Sequence, residues 1–380
     1  MLFDLAPKEN REDLYDFDEP FERLSAFLQE PVERTPLIVV KGMRRTGKTS
    51  LIKTALNELE LPYLYVDGRE FAAAPVITKL DLMRELEREL NLMVKRYGKW
   101  RTKFFAALRG VRWIKLTDKF PFLHFEWRRP SSMDILDLVQ AFQVLSDDIG
   151  TRTVLVLDEA QHFSRLADYR LQYLLAHIYD HVHEIQIIIS GSEVGLLYDF
   201  LETDNPDAPL FGRGMGEITV PWLPRESALD FLQQGCRQAR LKVPPESNQK
   251  AVDELNGTIG WLTLYGHELM KGIPPETALM RTIEQGSALE AQELEHFLTV
   301  RKQGRSRYLA ILKAAARLDR ARWIDLKTNL ETVERKRITD RRFNSLLQNL
   351  LKANFLTKEG EEYFIPDPLL KHALLTDLIR

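Results

Sequence analysis

The stretch LIVVKGMRRTGKTSLI, residues 37–52, constrains this chain more than any other. Before it, PLIVV reads as a buried strand after Pro36. Behind it, SLIKTALNEL carries Leu51, Ile52, Ala55, Leu56 and Leu59 at helical spacing. Between them Gly42, Met43, Arg44, Arg45, Thr46, Gly47, Lys48 and Thr49 complete the pattern G-x-x-x-x-G-K-[ST], and Ser50 closes the segment. Two glycines let the backbone turn its N–H groups inward as a nest for oxygen anions, and the new helix aims its positive end at the same place. Lys48 is expected to reach the β- and γ-phosphates of a nucleotide, and Thr49 to place its hydroxyl on Mg2+. For Arg44 and Arg45 the sequence leaves three fates open: the γ-phosphate, a neighbouring subunit, or solvent.

A second buried strand, in TVLVLDEAQHF (153–163), ends in adjacent carboxylates, Asp158 and Glu159. Strand ends are where ligands bind in open α/β sheets. Asp158 is expected to hold Mg2+ through water and Glu159 to polarise the attacking water; capping the helix that starts near 160 is the structural alternative. A third strand, IQIIIS (185–190), ends in Ser190, which either senses the γ-phosphate or serves a tight turn. PYLYVDG (62–68) and GEITVPW (216–222) add two more strands. Five short strands separated by helical stretches predict a three-layer α/β domain. TKLD (78–81) superficially resembles a guanine-specificity motif, but it precedes the Asp158 strand and reads as a helix start, so ATP is favoured over GTP.

At 380 residues the chain is long enough for two or three domains. No apolar run reaches bilayer length, the acidic start lacks a signal peptide's pattern, and the single Cys236 excludes an intramolecular disulfide. A cytoplasmic protein without membrane association is therefore expected. The net charge of −3 hides an asymmetry: residues 301–380 hold 18 Lys+Arg against 10 Asp+Glu, and residues 95–130 hold 11 against 2. Such blocks on an acidic body suit either a polyanion-facing surface or ordinary solvated charge.

The first block falls in an insert before the Asp158 strand. YGKWRTKFFAALRG predicts an amphipathic helix through Trp100, Phe104 and Leu108, and VRWIKL with FLHFEW predicts a hairpin joined by TDKFP. Arginines beside aromatics can stack on bases, and the same aromatics can pack the hairpin on its own domain. In the second block, RSRYLAILKAAARL, ARWIDLKTNLE and TDRRFNSLLQNLLKAN read as three helices, the last capped by Thr339. Two short strands around Lys358 to Glu362 then complete a winged helix. In DNA-binding versions the third helix enters the major groove of a duplex, which would present Arg341, Arg342, Asn344 and Gln348 to it; protein contact is the other use of the module. Residues 225–300 read as helices of a lid.

Taken together, GMRRTGKTS, LVLDEAQ, IIISGSEVGLL and PLFGR, followed by a basic C-terminal domain, resemble the archaeal ATPase family. That family groups with P-loop ATPases carrying an added catalytic glutamate, close to the STAND signalling ATPases and more distantly to AAA+ proteins. The resemblance implies a P-loop NTPase core with a parallel five-stranded sheet in the order 5-1-4-3-2, then a helical lid and a winged helix. It places Asp16 and Phe17 where relatives line the adenine pocket, without the arginine of that segment. It places Arg213 where relatives have an arginine approaching the γ-phosphate. Gly260, Trp261 and Leu262 stand at a lid motif that elsewhere contains proline. The expected organisation is a core over 1–224 with the insert at about 95–130, a lid over 225–300 and a winged helix over 301–380. The expected function is an ATP- or ADP-binding, Mg2+-dependent switch that hydrolyses ATP with Lys48, Glu159 and Arg213. Double-stranded DNA, a protein partner or a second copy are the candidate partners, and a DNA-binding regulator with structural nucleotide is the alternative.

Overall fold

The computed structural model describes residues 1–380 except 72, 73, 75, 110, 112, 127–134 and 380. In chain order the first part runs α1 (Asp18–Gln29), β1 (Leu37–Lys41), α2 (Lys48–Glu58), β2 (Tyr63–Asp67), α3 (Lys79–Arg96), α4 (Arg101–Leu108), β3 (Ile114–Leu116), β4 (Leu123–Phe125), α5 (Ile135–Ile149), β5 (Thr153–Asp158), α6 (Leu171–His181), β6 (Ile185–Gly191), α7 (Val194–Leu201) and β7 (Gly216–Thr219). β1, β2, β5, β6 and β7 form one parallel sheet in the order β2-β5-β6-β1-β7. Over these core strands alone that is the expected 5-1-4-3-2; the labels differ because the hairpin β3–β4 takes two numbers in between.

Side-chain alternation along β1 explains the three layers. Leu37 and Val39 enter a core with residues of α3, α5 and α6, whereas Ile38 and Val40 enter one with residues of α1 and α2. Every residue of β6 is buried, as a strand covered on both faces requires. Thr78 caps α3 in a reciprocal capping box with Asp81, so TKLD is a helix start, as its composition indicated.

The insert forms α4 and the antiparallel hairpin β3–β4. Phe104 and Leu108 are buried as the spacing predicts, but Trp100 lies in the short turn before α4 rather than in the helix. Arg112 and Trp127 to Arg129 of this block lie outside the described residues.

The lid comprises α8 (Arg225–Gln238), α9 (Pro245–Leu255), α10 (Ile259–Met270) and α11 (Pro275–Val300). Leu2 and Phe3, assigned by sequence to the core, instead pack into the lid's cluster with Phe231, Trp261 and Tyr265. The winged helix contains α12 (Arg305–Leu318), β8 (Ala321–Arg322), α13 (Trp323–Glu334), α14 (Asp340–Lys352), β9 (Thr357–Glu359), β10 (Glu362–Phe364) and α15 (Pro368–Leu375). Its small sheet has the order β8-β10-β9; β8 and α15 had not been anticipated. α11 is shared between the two parts: Leu294, Phe297 and Leu298 at its end are buried in the winged-helix core. No described helix is long and apolar enough to cross a membrane.

Candidate functional site

The phosphate loop leaves β1 beside β6 and enters α2. Its two glycines are dictated by crowding: a Cβ on Gly42 would lie 2.4 Å from the Val220 carbonyl oxygen, and one on Gly47 would lie 2.7 Å from the Phe17 ring. Gly47 also adopts φ +94°, which side-chain-bearing residues rarely tolerate. Phe17 is thus buried directly against the loop. Within the loop Thr46 Oγ1 donates to Met43 O at 2.9 Å, and Lys48 Nζ donates to Met43 O at 2.7 Å and Gly42 O at 3.1 Å. Burial pulls the Lys48 ammonium below its ordinary value against the opposing pull of Glu159 and Asp158. Ser50 Oγ accepts from the Lys8 amide at 3.0 Å, so it ties down the N-terminal segment.

The parallel register brings the β5 carboxylates to the same edge. Asp158 is wholly buried. Its Oδ2 accepts from Thr49 Oγ1 at 2.8 Å and from the Tyr65 hydroxyl. Its Oδ1 accepts from Ser190 Oγ and from the Glu159 amide at 3.1 Å. Ser190 is therefore committed to positioning Asp158. Burial, with the Asp158 charge next, raises the Tyr65 phenol well above its usual value, so it remains a donor. Arg69 Nη2 lies 3.8 Å from Asp158 Oδ2.

Glu159 sits in the left-handed region at φ +49°. Its Oε2 accepts from Ser192 N at 2.9 Å, Ser192 Oγ at 2.7 Å and Gln161 Nε2 at 2.7 Å. Burial pushes this carboxyl up, but the Lys48 charge and these donors overcome it and hold it well below the usual carboxylate range. Gln161 Oε1 is buried without a hydrogen-bond partner, an acceptor left beside the carboxylates. Thr49, Asp158 and Gln161 offer the hard oxygen atoms that suit Mg2+ and its waters.

The loop arginines take none of the three fates the sequence left open: both reach α11 of their own chain. Arg44 pairs with Glu193, and its Nε lies 2.7 Å from Glu293 Oε2, at ion-pair distance though without hydrogen-bond geometry. Its guanidinium stacks 5.1 Å over Phe355 of the winged helix. Arg45 lies 3.2 Å from both Glu290 and Glu293 of α11 and 4.0 Å over the Trp261 ring. Arg45 O accepts from the Gly260 amide at 3.0 Å, and Trp261 Nε1 donates to Asp367 Oδ2 at 3.0 Å, just before α15. Burial, then Asp367 and Glu293, push the Glu290 carboxyl up to about 8 despite Arg45. Asn354 Nδ2 donates to Ser192 O at 2.5 Å, and Lys352 pairs with Asp199 at 2.7 Å, so the end of α14 also sits on the core. A cleft of about 780 Å³ lies between the strand ends and α11, lined among others by Arg44, Arg69, Glu159, Gln161, Arg165 and Arg301.

Arg213 is not brought to this site. It precedes β7, whose register runs parallel to β1 from Ile38↔Gly216 to Lys41↔Thr219, so it lies at the edge where strands begin. The phosphate loop follows the edge where they end. Arg213 pairs with Asp180 of α6 (Nε to Oδ1 3.0 Å) and lies 5.7 Å over Tyr179. Sensing of the γ-phosphate by Arg213 within one chain is thereby corrected.

On the winged helix, Arg341, Arg342, Asn344 and Gln348 are all exposed on α14, although Asn344 Oδ1 accepts from Trp323 Nε1 at 2.7 Å. Arg335, Lys336 and Arg337 are exposed in the preceding loop. Sequence reasoning passed over these three, although the run ERKR (334–337) stands just ahead of the Thr339 cap, with one residue between them. It also passed over Tyr65, whose place on the strand beside β5 was the available signal.

A family model described as an AAA domain matches residues 32–197, and one described as the MCM protein C-terminal winged helix-turn-helix domain matches residues 302–366. The Walker-type ATPase of Pyrococcus abyssi is 32% identical and superposes with a TM-score of 0.82, covering 99% of this chain and 100% of that one. The Aeropyrum pernix ORC2 protein, in ADPNP-ADP complexes, shares the fold at 14% identity and TM-score 0.61, covering 99% and 95%. Cdc6p of Pyrobaculum aerophilum does so at 12% and 0.50, covering 99% and 98%. No curated protein matches the chain. With near-complete coverage at 32% identity, the chain belongs to the family of the Pyrococcus abyssi Walker-type ATPase, P-loop proteins built from an AAA-type core and a C-terminal winged helix.

Proposed function

We propose that the chain is an ATP-driven switch in which the state of the phosphate loop is passed to the winged helix, and that the winged helix contacts duplex DNA. The observation that carries this reading is the placement of Arg44 and Arg45. Two adjacent residues of the phosphate loop are ion-paired to α11 and stacked on Phe355 and Trp261, so the loop cannot rearrange without the lid and winged helix feeling it.

The backbone nest and Lys48 would hold the β- and γ-phosphates, and Phe17 would contribute to the base pocket. Thr49 and Asp158, the latter oriented by Tyr65 and Ser190, would hold Mg2+, which when bound neutralises charge on the phosphate oxygens. Glu159, kept ionised beside Lys48, would align and polarise the attacking water. Arg44 would be the group that registers the γ-phosphate, because an arriving phosphate competes with Glu193 and Glu293 for its guanidinium. A ligand shifts such an equilibrium only through differential affinity, and the γ-phosphate is what distinguishes ATP from ADP. Arg213, at the far edge of the sheet, would act only on the nucleotide of a second copy. A site within the cytoplasm accords with this chemistry.

One observation favours the alternative of a DNA-binding regulator with structural nucleotide. Oε2 of Glu159 already accepts three hydrogen bonds, and a carboxylate so restrained is a weak base. The two readings separate on filter binding of duplex DNA by the full chain with ATP and with ADP. The switch requires different affinities in the two nucleotides, and equal affinities alongside undetectable phosphate release would leave the regulator reading.

A further inference from the structure

The insert presents cations of another kind. Lys95 at the end of α3, Arg101 at the start of α4 and Lys119 in the β3–β4 turn are exposed, and none has a carboxylate partner among the described residues. Lys95 and Arg101 lie over a ladder of aromatic rings, and Lys119 directly precedes its outer ring in sequence. Phe105 and Phe122 lie 6.4 Å apart between centroids, and Phe122 and Phe120 lie 5.7 Å apart. Arg101 covers both Phe105 and Phe122, at 6.0 and 5.7 Å, and Lys95 lies 5.5 Å over Phe120, which is 56% exposed.

The packing of the hairpin does not need the outer ring of this ladder, Phe120. Trp113, Ile114, Leu123 and Phe125 face the core and are buried, which already seats β3–β4 on the domain. The Phe120 ring and its cations remain on the outside. Surface cations with no carboxylate opposite them among the described residues suit an anionic partner. The exposed Phe120 ring calls for a partner with flat apolar faces, whereas Phe105 and Phe122 are half-buried against the core and support it. One polymer class supplies both: single-stranded nucleic acid, with phosphates for Lys95, Arg101 and Lys119 and an unpaired base for Phe120. A duplex keeps its bases stacked and presents chiefly edges and phosphates, so an exposed ring fits it less well than unpaired bases.

We propose that the insert is a single-stranded nucleic-acid site, separate from the duplex-contacting surface assigned to the winged helix. It rests on no step of nucleotide hydrolysis. The test is fluorescence anisotropy of a labelled oligothymidylate with the full-length chain, across salt concentrations. The wild-type chain binds with a clear salt slope. The combined change Lys95→Ala, Arg101→Ala, Lys119→Ala weakens binding by more than tenfold and lowers the slope by about two, since each phosphate contact contributes about 0.7 for single strands. Phe120→Ala weakens binding about fivefold or more and leaves the slope unchanged, the mark of lost stacking. All four side chains are exposed, and unchanged circular dichroism and melting verify that each variant is folded. Arg341→Ala with Arg342→Ala leaves oligothymidylate binding intact. The proposal is overturned by no wild-type binding, by wild-type affinity in the triple variant, or by patch variants that lose anionic vesicles but not the oligonucleotide.

Discussion

Two groups of cations in this chain face opposite circumstances. Arg44 and Arg45 lie between core and lid, paired with Glu193, Glu290 and Glu293 and each stacked on a ring from another part of the fold. Lys95 and Arg101 lie on the insert over rings of their own neighbourhood, with Lys119 nearby in the β3–β4 turn, and none of the three has a carboxylate opposite among the described residues. Composition alone does not tell these groups apart, since both are simply basic residues. Satisfaction tells them apart. Charges whose partners are built into the fold hold its parts in register, and charges without partners are available to something outside it.

The largest effect tests the chemistry that the paired side would control. Glu159→Gln keeps shape and hydrogen bonds but removes the charge, and phosphate release should fall by about 10²-fold or more while ATP still binds. Release at the wild-type rate would take Glu159 out of the mechanism. Next comes the loop itself. Lys48→Ala removes a charge-assisted contact, and affinity for a fluorescent ATP analogue should drop by about 1.5–3 kcal/mol. Unchanged affinity would show that the loop is no nucleotide site.

Stability sharpens the contrast directly. Arg45→Ala removes the hydrogen bond to buried Glu290, the charge pair with Glu293 and the ring contact with Trp261, and should cost about 1–3 kcal/mol in urea unfolding. Alanine at Lys95 or Lys119 should stay within about 0.5 kcal/mol. Equal costs at the two places would dissolve the distinction between built-in and outward-facing charge.

A different test is in pH. Glu290 carries a folded value of about 8 against an ordinary 4.5, so the folded chain holds an extra proton across that window. The unfolded chain binds fewer protons there, and unfolding free energy should therefore fall as pH rises from about 5 to about 8, then level off. Glu290→Gln should flatten this part of the pH–stability curve; an unaltered slope would place its origin elsewhere.

How far the sequence reached depended on distance along the chain. The phosphate loop was legible because strand, glycines, Lys48 and helix are contiguous and each has a local reason. Asp158 and Glu159 were legible as polar residues ending an apolar strand. The winged helix was legible from the periodicity of its three main helices and the Thr339 cap. Tyr65 and Arg69 needed the knowledge that β2 lies beside β5 in register, which no local pattern carries. The pairing of Arg45 with Glu290 joins residues 245 positions apart, and nothing local marks Glu290 as a partner. Arg213 was misplaced by analogy, although strand direction alone puts a residue just before β7 at the opposite edge from a loop just after β1.

The most direct measurement is amide hydrogen exchange over residues 301–380 of the full chain, saturated in turn with ATP and with ADP, using Glu159→Gln to keep ATP intact. If the loop arginines couple nucleotide to the winged helix, protection there should differ between nucleotides by about 5- to 150-fold, the range of typical coupling energies. Arg44→Ala should erase that difference while both nucleotides still bind. Identical protection with ATP and ADP, both verified bound, would contradict the switch.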